Sequence, residues 1–383
     1  MSVLDQVRAR IARQGPISFT DFMEIALYDR DGGFYTRGGG AGRAGRDFVT
    51  SPEVGTLFGA LIARFLDATW RDLDQPDPFV VIEAGAGRGR LAADVLRAQP
   101  ECAPALRYVL VELSPALRAR QSELLRIEPI DEVLGPFVRA ADPDEPMEVV
   151  PGAGPIVSSI EQLPAARVDG VVLANELLDN FPVRIVERTA DGWDEVRVGL
   201  DDDGGLREVL VTAPSATSGL GDLPPDIEVG ARIPLPVGLG PWLDAAAGTL
   251  HHGDIVVIDY VAAFGELVAR GQPGWLRTYR GHGRGAGALD DPGDQDITSD
   301  VPLECLRTAA TRAGLTIATE ARQADWLQTL GIATLVARAR QTWHERAGVG
   351  DLEALAARSW ITEAAALTDP DGLGAHRVVV FRR

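Results

Sequence analysis

The chain has 383 residues and a formal net charge of −19 at pH 7, with a pI of about 4.7. This acidity argues against a nucleic-acid partner, since affinity for a phosphate backbone depends on clustered Lys and Arg side chains. Two cysteines, Cys102 and Cys305, are too few for a disulfide framework or a thiolate metal cluster. No stretch approaches the roughly 18 apolar residues of a membrane span, and no apolar signal opens the chain. We therefore expect a cytoplasmic protein without membrane insertion, whose partner is basic rather than DNA or RNA.

Two helical patterns and a glycine-rich segment open the chain, over residues 3–13, 18–27 and 32–53. The glycine-rich segment is not a Walker loop, because no strand precedes it and no Lys-Ser or Lys-Thr pair closes it. It is either a surface loop or a lid over a bound cofactor. In the second case we expect the hydroxyls of Thr50 and Ser51 to contact the cofactor.

A strand, a tight turn and a helix are predicted over residues 80–97. Three glycines at alternate positions form the turn, namely Gly85, Gly87 and Gly89. They allow backbone N–H groups at the helix N-terminus to approach a ligand closely. A dinucleotide fingerprint needs a glycine where Arg90 stands, and the carboxylate of Glu83 would repel a pyrophosphate. The spacing therefore favours S-adenosylmethionine, whose ammonium and sulfonium groups suit an acidic strand end, over NAD.

A second predicted strand, residues 108–111, ends in Glu112. In a doubly wound sheet, a carboxylate at this separation from the glycine turn accepts the two ribose hydroxyls of a nucleotide-like cofactor. The alternative is that Glu112 is a surface cap and that the turn only joins a strand to a helix. Both motifs together, at the expected separation, favour the cofactor site.

A further buried strand, residues 168–174, runs directly into Asn175 and Glu176. In a doubly wound sheet this strand lies beside the glycine-turn strand, and ligands bind at the carboxyl ends of the strands. We therefore expect Asn175 and Glu176 to face the transferred group, with Asn175 also contacting the cofactor. The alternative is that Asn175 and Asp179 cap a turn, which is common chemistry for both residue types.

The remaining segments are less informative. Residues 129–155 and 213–240 are rich in proline and glycine, which predicts loops. Residues 183–212 change to a period of two, which predicts a hairpin or a three-stranded meander. The adjacent His251 and His252 should point to different faces of any regular element, and the other three histidines are isolated. We therefore expect no metal site.

These elements predict an α/β fold with a doubly wound, mostly parallel sheet. Residues 1–60 form N-terminal helices and a glycine-rich lid, residues 61–182 and 250–383 form the cofactor-binding core, and residues 183–249 form a β-rich insertion. A long polar loop over residues 271–300 has a length that indicates function or disorder.

Short blocks in a fixed order along nearly the whole chain carry a family resemblance: Gly15-Pro16-Ile17-Ser18-Phe19, Gly33-Phe34-Tyr35, Asp47-Phe48-Val49-Thr50-Ser51-Pro52-Glu53, Leu57-Phe58-Gly59, the turn from Glu83 to Gly89, Val111-Glu112-Leu113-Ser114-Pro115, Asn175-Glu176-Leu177-Leu178-Asp179, Asp259-Tyr260 and Asp296-Ile297-Thr298. In these blocks the chain resembles the MidA-type S-adenosylmethionine-dependent methyltransferases, whose mitochondrial members methylate an arginine of a respiratory complex I subunit. The chain departs from the family pattern where Ala86 replaces a proline, Val261 a glycine and Asp300 a histidine.

The resemblance implies a class I, Rossmann-like methyltransferase that methylates arginine on a protein substrate, with a complex I subunit as a candidate partner. A guanidinium is protonated at neutral pH and must lose a proton, which requires a base such as a carboxylate. We expect Glu176 to be this base, with Asp179 or Asp259 assisting and Tyr35 or His282 as further candidates. Two alternatives stay open, a cofactor-binding assembly module without catalysis and a small-molecule methyltransferase. The oligomeric state also stays open, with a homodimer as one option.

Overall fold

The computed structural model describes residues 1–39, 50–135, 152–212, 227–281 and 283–383. The chain divides into two compact units, each named here after its largest sheet. The seven-stranded unit comprises Val49–Asn175, Ala245–Ile258 and Leu315–Arg383, and the five-stranded unit comprises Met1–Phe48, Glu176–Asp244 and Asp259–Gly314. This division differs from the predicted one, because Asp259–Gly314 groups with the five-stranded unit and not with the cofactor-binding core.

The α-helices of the described residues are α1 (Val3–Gln14), α2 (Phe19–Tyr28), α3 (Ser51–Val54), α4 (Thr56–Asp72), α5 (Arg90–Arg97), α6 (Pro115–Gln121), α7 (Ile130–Leu134), α8 (Leu239–Thr249), α9 (Phe264–Arg270), α10 (Gln272–Trp275), α11 (Leu303–Arg312), α12 (Gln323–Thr329), α13 (Ile332–Arg346) and α14 (Leu352–Leu367). None of these helices has the length and apolarity needed to cross a bilayer.

The strands are β1 (Ile17–Ser18), β2 (Phe79–Ala84), β3 (Leu106–Val111), β4 (Ile156–Ile160), β5 (Val168–Asn175), β6 (Val183–Thr189), β7 (Gly192–Leu200), β8 (Leu206–Val211), β9 (Arg232–Pro236), β10 (Leu250–Asp259), β11 (Val261–Ala262), β12 (Leu276–Arg280), β13 (Gly283–Arg284), β14 (Asp296–Ser299), β15 (Val301–Pro302), β16 (Thr316–Arg322) and β17 (Arg377–Arg382).

The large sheet of the seven-stranded unit has the order β16-β17-β10-β5-β2-β3-β4. Strands β10, β5, β2, β3 and β4 run parallel, and β16 is antiparallel to β17. From β2 the chain first adds β3 and β4 on one side and then β5 and β10 on the other. The strand order therefore reverses between β2 and β5, which is where a doubly wound sheet binds its ligands. The predicted α/β fold with a mostly parallel sheet is confirmed.

Helices α4 and α5 approach each other closely within this unit because α4 carries a glycine. A Cβ atom added to Gly59 would lie 2.5 Å from the Cβ atom of Asp94 on α5. Asp94 is buried, and its carboxylate pairs with Arg90 at 2.7 Å and with Arg97. This packing places α5 beside the core side chains of α4, such as Leu61 and Phe58, and directly after the turn that follows β2.

The five-stranded unit contains an antiparallel sheet in which β7 pairs with both β6 and β8. The sequence predicted a hairpin or a three-stranded meander here, and the structure has the meander. The prediction of a continuous loop over residues 213–240 is wrong at β9, which pairs with β6 at an edge of this sheet. Its Pro234 and Pro236 lack a backbone N–H, which is tolerated on an edge strand and hides the strand from sequence patterns. Likewise, α7 interrupts the loop predicted over residues 129–155.

A bulge at the start of β10 corrects one expectation about the histidines. Leu250 pairs with Val168 and His252 with Asp169, so His251 is an extra residue on its strand. The Nδ1 atoms of His251 and His252 lie 3.5 and 3.1 Å from the same Asp169 oxygen. The two rings therefore share one side of the sheet, whereas adjacent side chains of a regular strand point to opposite faces.

Candidate functional site

The glycine turn begins where β2 ends and leads into α5. Gly85, Gly87 and Gly89 have φ angles of 72°, 53° and 75°, in the left-handed region that residues with a Cβ atom rarely adopt. A Cβ atom added at Gly87 would meet nothing within 4 Å. The glycine at 87 is thus required by the backbone conformation, and the space above it is open to a ligand.

Glu112 follows β3 and holds the glycine turn in place. One carboxylate oxygen accepts a hydrogen bond from the Gly87 N–H at 2.9 Å, and the other accepts from the Ser114 N–H at 2.8 Å. Burial raises the pKa of Glu112, while these two backbone N–H groups counteract the effect. Each carboxylate oxygen has a second lone pair, so Glu112 retains the capacity to accept ribose hydroxyls.

Glu83 lies near the carboxyl end of β2 and is buried. The Tyr108 hydroxyl donates a hydrogen bond to it at 2.8 Å. Burial raises the pKa of Glu83 to about 8, and the Tyr108 hydrogen bond opposes that shift. A nearby ammonium group would favour the ionised carboxylate. Tyr108 was missed from the sequence, where it reads only as an apolar strand residue.

Thr50 and Ser51, predicted to contact a cofactor, begin the short helix α3 in the seven-stranded unit. Both are buried, and the Ser51 hydroxyl donates to the side chain of Gln323 at 3.0 Å. Ser51 therefore also joins α3 to α12. Residues 40–49 of the predicted lid lie outside the described residues.

Asn175 ends β5 next to Ile258 of β10, and Glu176 follows it directly. Glu176 is half-buried and has a φ angle of 50°, an uncommon conformation for a residue with a long side chain. Strained backbone of this kind is concentrated at functional sites. The predicted candidate His282 lies outside the described residues.

Three buried carboxylates, Asp179, Asp259 and Asp296, lie in the five-stranded unit. Asp259 accepts from the backbone N–H groups of Leu177 and Leu178 at 3.1 and 2.8 Å. Those bonds hold the segment that follows β5. Burial raises the pKa of Asp259 and of Asp296 to about 6.

Asp296 is held by the side chains of three other residues. It accepts from the Tyr35 hydroxyl at 2.9 Å, from the Asn180 side chain at 3.1 Å and from the Thr298 hydroxyl at 3.0 Å. The Tyr35 hydroxyl also lies 2.9 Å from Asn180 Oδ1. Tyr35 was a candidate from the sequence, but Asn180 was missed because amide side chains in a turn carry no distinctive pattern.

Asp179 is different, since no donor within the described part of the chain reaches its buried Oδ1 atom. Burial raises the pKa of Asp179 well above its usual value, and the negative charges of Asp259, Asp296 and Glu176 raise it further. A buried carboxylate oxygen without a donor costs about 1 to 3 kcal/mol or more. A cationic ligand with N–H donors would remove that cost.

Asp300, which stands where the family pattern has a histidine, also lies in the five-stranded unit. It is buried and forms ion pairs with Arg270 at 2.8 Å and with Arg277 at 2.5 Å. The Arg277 guanidinium in turn lies 4.5 Å from the centre of the Tyr260 ring. A carboxylate at 300 is therefore explained as the counter-ion of two arginines.

Comparison with known proteins decides the family. Residues 61–320 match the sequence profile of a family described as S-adenosyl-L-methionine-dependent methyltransferases. The chain belongs to this methyltransferase family. The match confirms the resemblance to the MidA-type enzymes, which was inferred from short blocks, and it agrees with the cofactor chosen from the glycine spacing.

Two curated relatives cover most of this methyltransferase. The Drosophila melanogaster protein arginine methyltransferase NDUFAF7 homolog, mitochondrial, is 28% identical over 331 residues, which are 82% of this chain and 71% of the relative. The Danio rerio protein arginine methyltransferase NDUFAF7, mitochondrial, is 29% identical over 325 residues, which are 81% and 72% of the two chains. The cytoplasmic location predicted from the sequence is corrected by this finding, because these relatives are mitochondrial proteins.

Two solved structures are similar to this chain over its whole length. A protein from Burkholderia thailandensis bound to S-adenosyl-homocysteine has 28% sequence identity and a TM-score of 0.78, covering 100% of this chain and 92% of its own. A native structure from the same organism has 27% identity and a TM-score of 0.77, covering 100% and 91%. The methyltransferase therefore uses S-adenosylmethionine, the methylated form of that ligand.

The residues of the seven-stranded unit fit this cofactor. The open space above Gly87 and the lone pairs of Glu112 suit a nucleoside, and the buried Glu83 suits an ammonium group. We propose that these residues, with Gly85, Gly89, Asn175, Thr50 and Ser51, form the cofactor site.

Proposed function

We propose that this methyltransferase transfers a methyl group to the guanidinium of an arginine on a protein substrate. The observation that carries the proposal is the buried Asp179, whose Oδ1 atom has no donor among the described residues. A guanidinium offers five N–H donors in a plane and stays charged at neutral pH. It therefore suits buried carboxylates better than an uncharged methyl-accepting group does. The names of the curated relatives and the net charge of −19 also support a basic protein substrate.

The carboxylates have separate tasks in this proposal. Asp259 and Asp296 are already held by backbone and side-chain donors, so they supply fixed negative charge. Asp179 accepts an N–H of the guanidinium. Ionised, paired carboxylates replace the water that a buried guanidinium loses, which reduces the cost of burying its charge.

Glu176 is proposed as the base. It directly follows β5, its backbone is in the left-handed region, and its negative charge raises the pKa of Asp179. The cofactor supplies an electrophilic methyl group on a sulfonium. As the N–C bond forms and the C–S bond breaks, the guanidinium nitrogen loses a proton, which Glu176 accepts, and the methylated arginine keeps its positive charge.

The experiment supplies the purified chain with S-adenosylmethionine labelled in its methyl group and with extract from the source cells. Mass spectrometry then locates the label. We expect labelled arginine in a protein, and we expect Asp179→Asn to lose at least about tenfold in transfer rate while it still binds cofactor.

The matched control is Asp203→Asn, at an exposed hairpin position in the same unit. It should leave the rate unchanged. Label on another residue type or on a small molecule would contradict the arginine proposal. Tight cofactor binding without any transfer would favour the assembly-module alternative. A respiratory complex I subunit as the substrate stays a prediction from the family resemblance.

A further inference from the structure

We propose that Asp169, His251 and His252 form a binding site for a zinc-type transition-metal ion, separate from the methyl-transfer chemistry. The three side chains lie in the seven-stranded unit, and each offers one ligand atom. These atoms all lie within 4.8 Å of one another, and this is the one such group among the described residues.

The bulge in β10 builds the site. His251 is the extra residue, so His251 and His252 together oppose Asp169 on β5. Gly253 follows with a φ angle of 141°, and a Cβ atom there would lie 1.8 Å from the Gly170 carbonyl oxygen. Only a glycine fits this close approach, so Gly253 fixes the backbone of the bulge.

The distances suit a small ion. The Nδ1 atoms of His251 and His252 lie 3.5 and 3.1 Å from Asp169 Oδ1. Zinc binds nitrogen and oxygen at about 2.0 to 2.2 Å, so two ligand atoms on a zinc tetrahedron are about 3.3 Å apart. The observed separations bracket that value, and an ion would require only small side-chain movements.

The donor set selects the kind of ion. Two imidazole nitrogens and one carboxylate oxygen favour Zn²⁺, Co²⁺, Ni²⁺ or Cu²⁺, whereas Mg²⁺ and Ca²⁺ prefer oxygen donors alone. The side chains of His251 and His252 are 59% exposed and that of Asp169 is 38% exposed, so an ion can enter from solvent. Water would complete the coordination.

The location excludes a direct part in methyl transfer. Asp169 is the second residue of β5 and directly precedes Gly170, which pairs with Val80 of β2. The glycine turn follows Ala84, which pairs with Ala174, five residues along β5 from Asp169. At about 3.3 Å per residue the site is about 16 Å from the start of that turn. A bound ion would clamp β5 to β10 at the end of the sheet away from the cofactor site.

The test uses the full chain without an affinity tag and Co²⁺ as a spectroscopic probe. We expect saturable visible absorption bands of a four- or five-coordinate cobalt ion, lost on addition of Zn²⁺ and kept in excess Mg²⁺. His252→Ala and Asp169→Asn should each weaken Co²⁺ binding at least about tenfold. Loss of a residue that only hydrogen-bonds to a metal ligand already lowers metal affinity by that factor. Zn²⁺ should also raise the midpoint of thermal unfolding of the wild type but not of these variants.

His344→Ala is the matched control, since His344 is a single exposed histidine on α13 of the same unit. It should bind Co²⁺ like the wild type. Absence of Co²⁺ binding to the wild type would overturn the proposal. Equal binding by the wild type and both site variants would overturn it too, since the ion would then lie elsewhere.

Discussion

Glu112 accepts a hydrogen bond from the backbone N–H of Gly87 at 2.9 Å. The carboxylate proposed to bind the ribose thus also holds the glycine turn over which the cofactor is expected to lie. Substitutions at either residue should therefore act on cofactor binding, for different physical reasons.

Glu112→Ala should weaken the binding of S-adenosylmethionine by about 1 to 3 kcal/mol, which is the usual cost of a lost charge-assisted hydrogen bond. Titration calorimetry with S-adenosyl-homocysteine measures this directly. Glu101→Ala is the control, since the Glu101 side chain is 68% exposed and pairs with Arg71 on the surface of α4. An unchanged dissociation constant for Glu112→Ala would remove Glu112 from the cofactor site.

Gly87→Val should abolish measurable cofactor binding in a folded protein. Its side chain enters space that is open in the structure, so the clash arises only when the cofactor is present. Valine also strains a left-handed backbone, and Gly204→Val controls for that strain. Gly204 has a φ angle of 79° and equally open surroundings, but it lies in a hairpin of the five-stranded unit. We expect calorimetry to show normal binding for Gly204→Val, and comparable losses in both variants would contradict the assignment.

Glu83→Gln should change how stability depends on pH. Burial raises the pKa of Glu83 from about 4.5 to about 8, so the folded chain keeps a proton that the unfolded chain releases. The contribution of this proton to the free energy of unfolding is fully present below about pH 4.5 and is lost as the pH rises through about 8. The free energy of unfolding of the cofactor-free wild type should therefore fall, relative to Glu83→Gln, by on the order of 1 to 4 kcal/mol between pH 5 and 9.

Urea denaturation of both proteins at several pH values measures this difference. Glu161→Gln serves as the control, because the Glu161 side chain is 60% exposed. A constant difference between the wild type and Glu83→Gln across this pH range would show that Glu83 is ionised when buried.

Glu176→Gln should keep cofactor affinity within a few fold but slow methyl transfer about a hundred- to ten-thousand-fold, the usual range for general acid–base catalysis. The amide has the shape of the carboxylate without its charge or basicity. Single-turnover rates with saturating cofactor test this, with the exposed Glu228→Gln as the control in the same unit. A decrease below about tenfold would mean that another residue accepts the proton.

Elements whose formation depends on residues close together in the sequence were predicted well. The apolar run of β2, the glycine turn and α5 occur as expected, because apolar periodicity and the backbone freedom of glycine are local properties. The errors lie where local signals mislead. Prolines concealed the edge strand β9, and the single extra residue in β10 reversed the expected direction of a histidine.

The sequence by itself determined the strand-turn-helix motif, the parallel sheet built around it and, through its family, the cofactor. Only the tertiary structure decided which distant side chains meet. Tyr35 donates to Asp296 at 2.9 Å although 261 positions separate them, and Asp169 meets His251 and His252 through strand register. Such contacts depend on loop closure and on register across the sheet, and neither leaves a periodic pattern near the residues concerned.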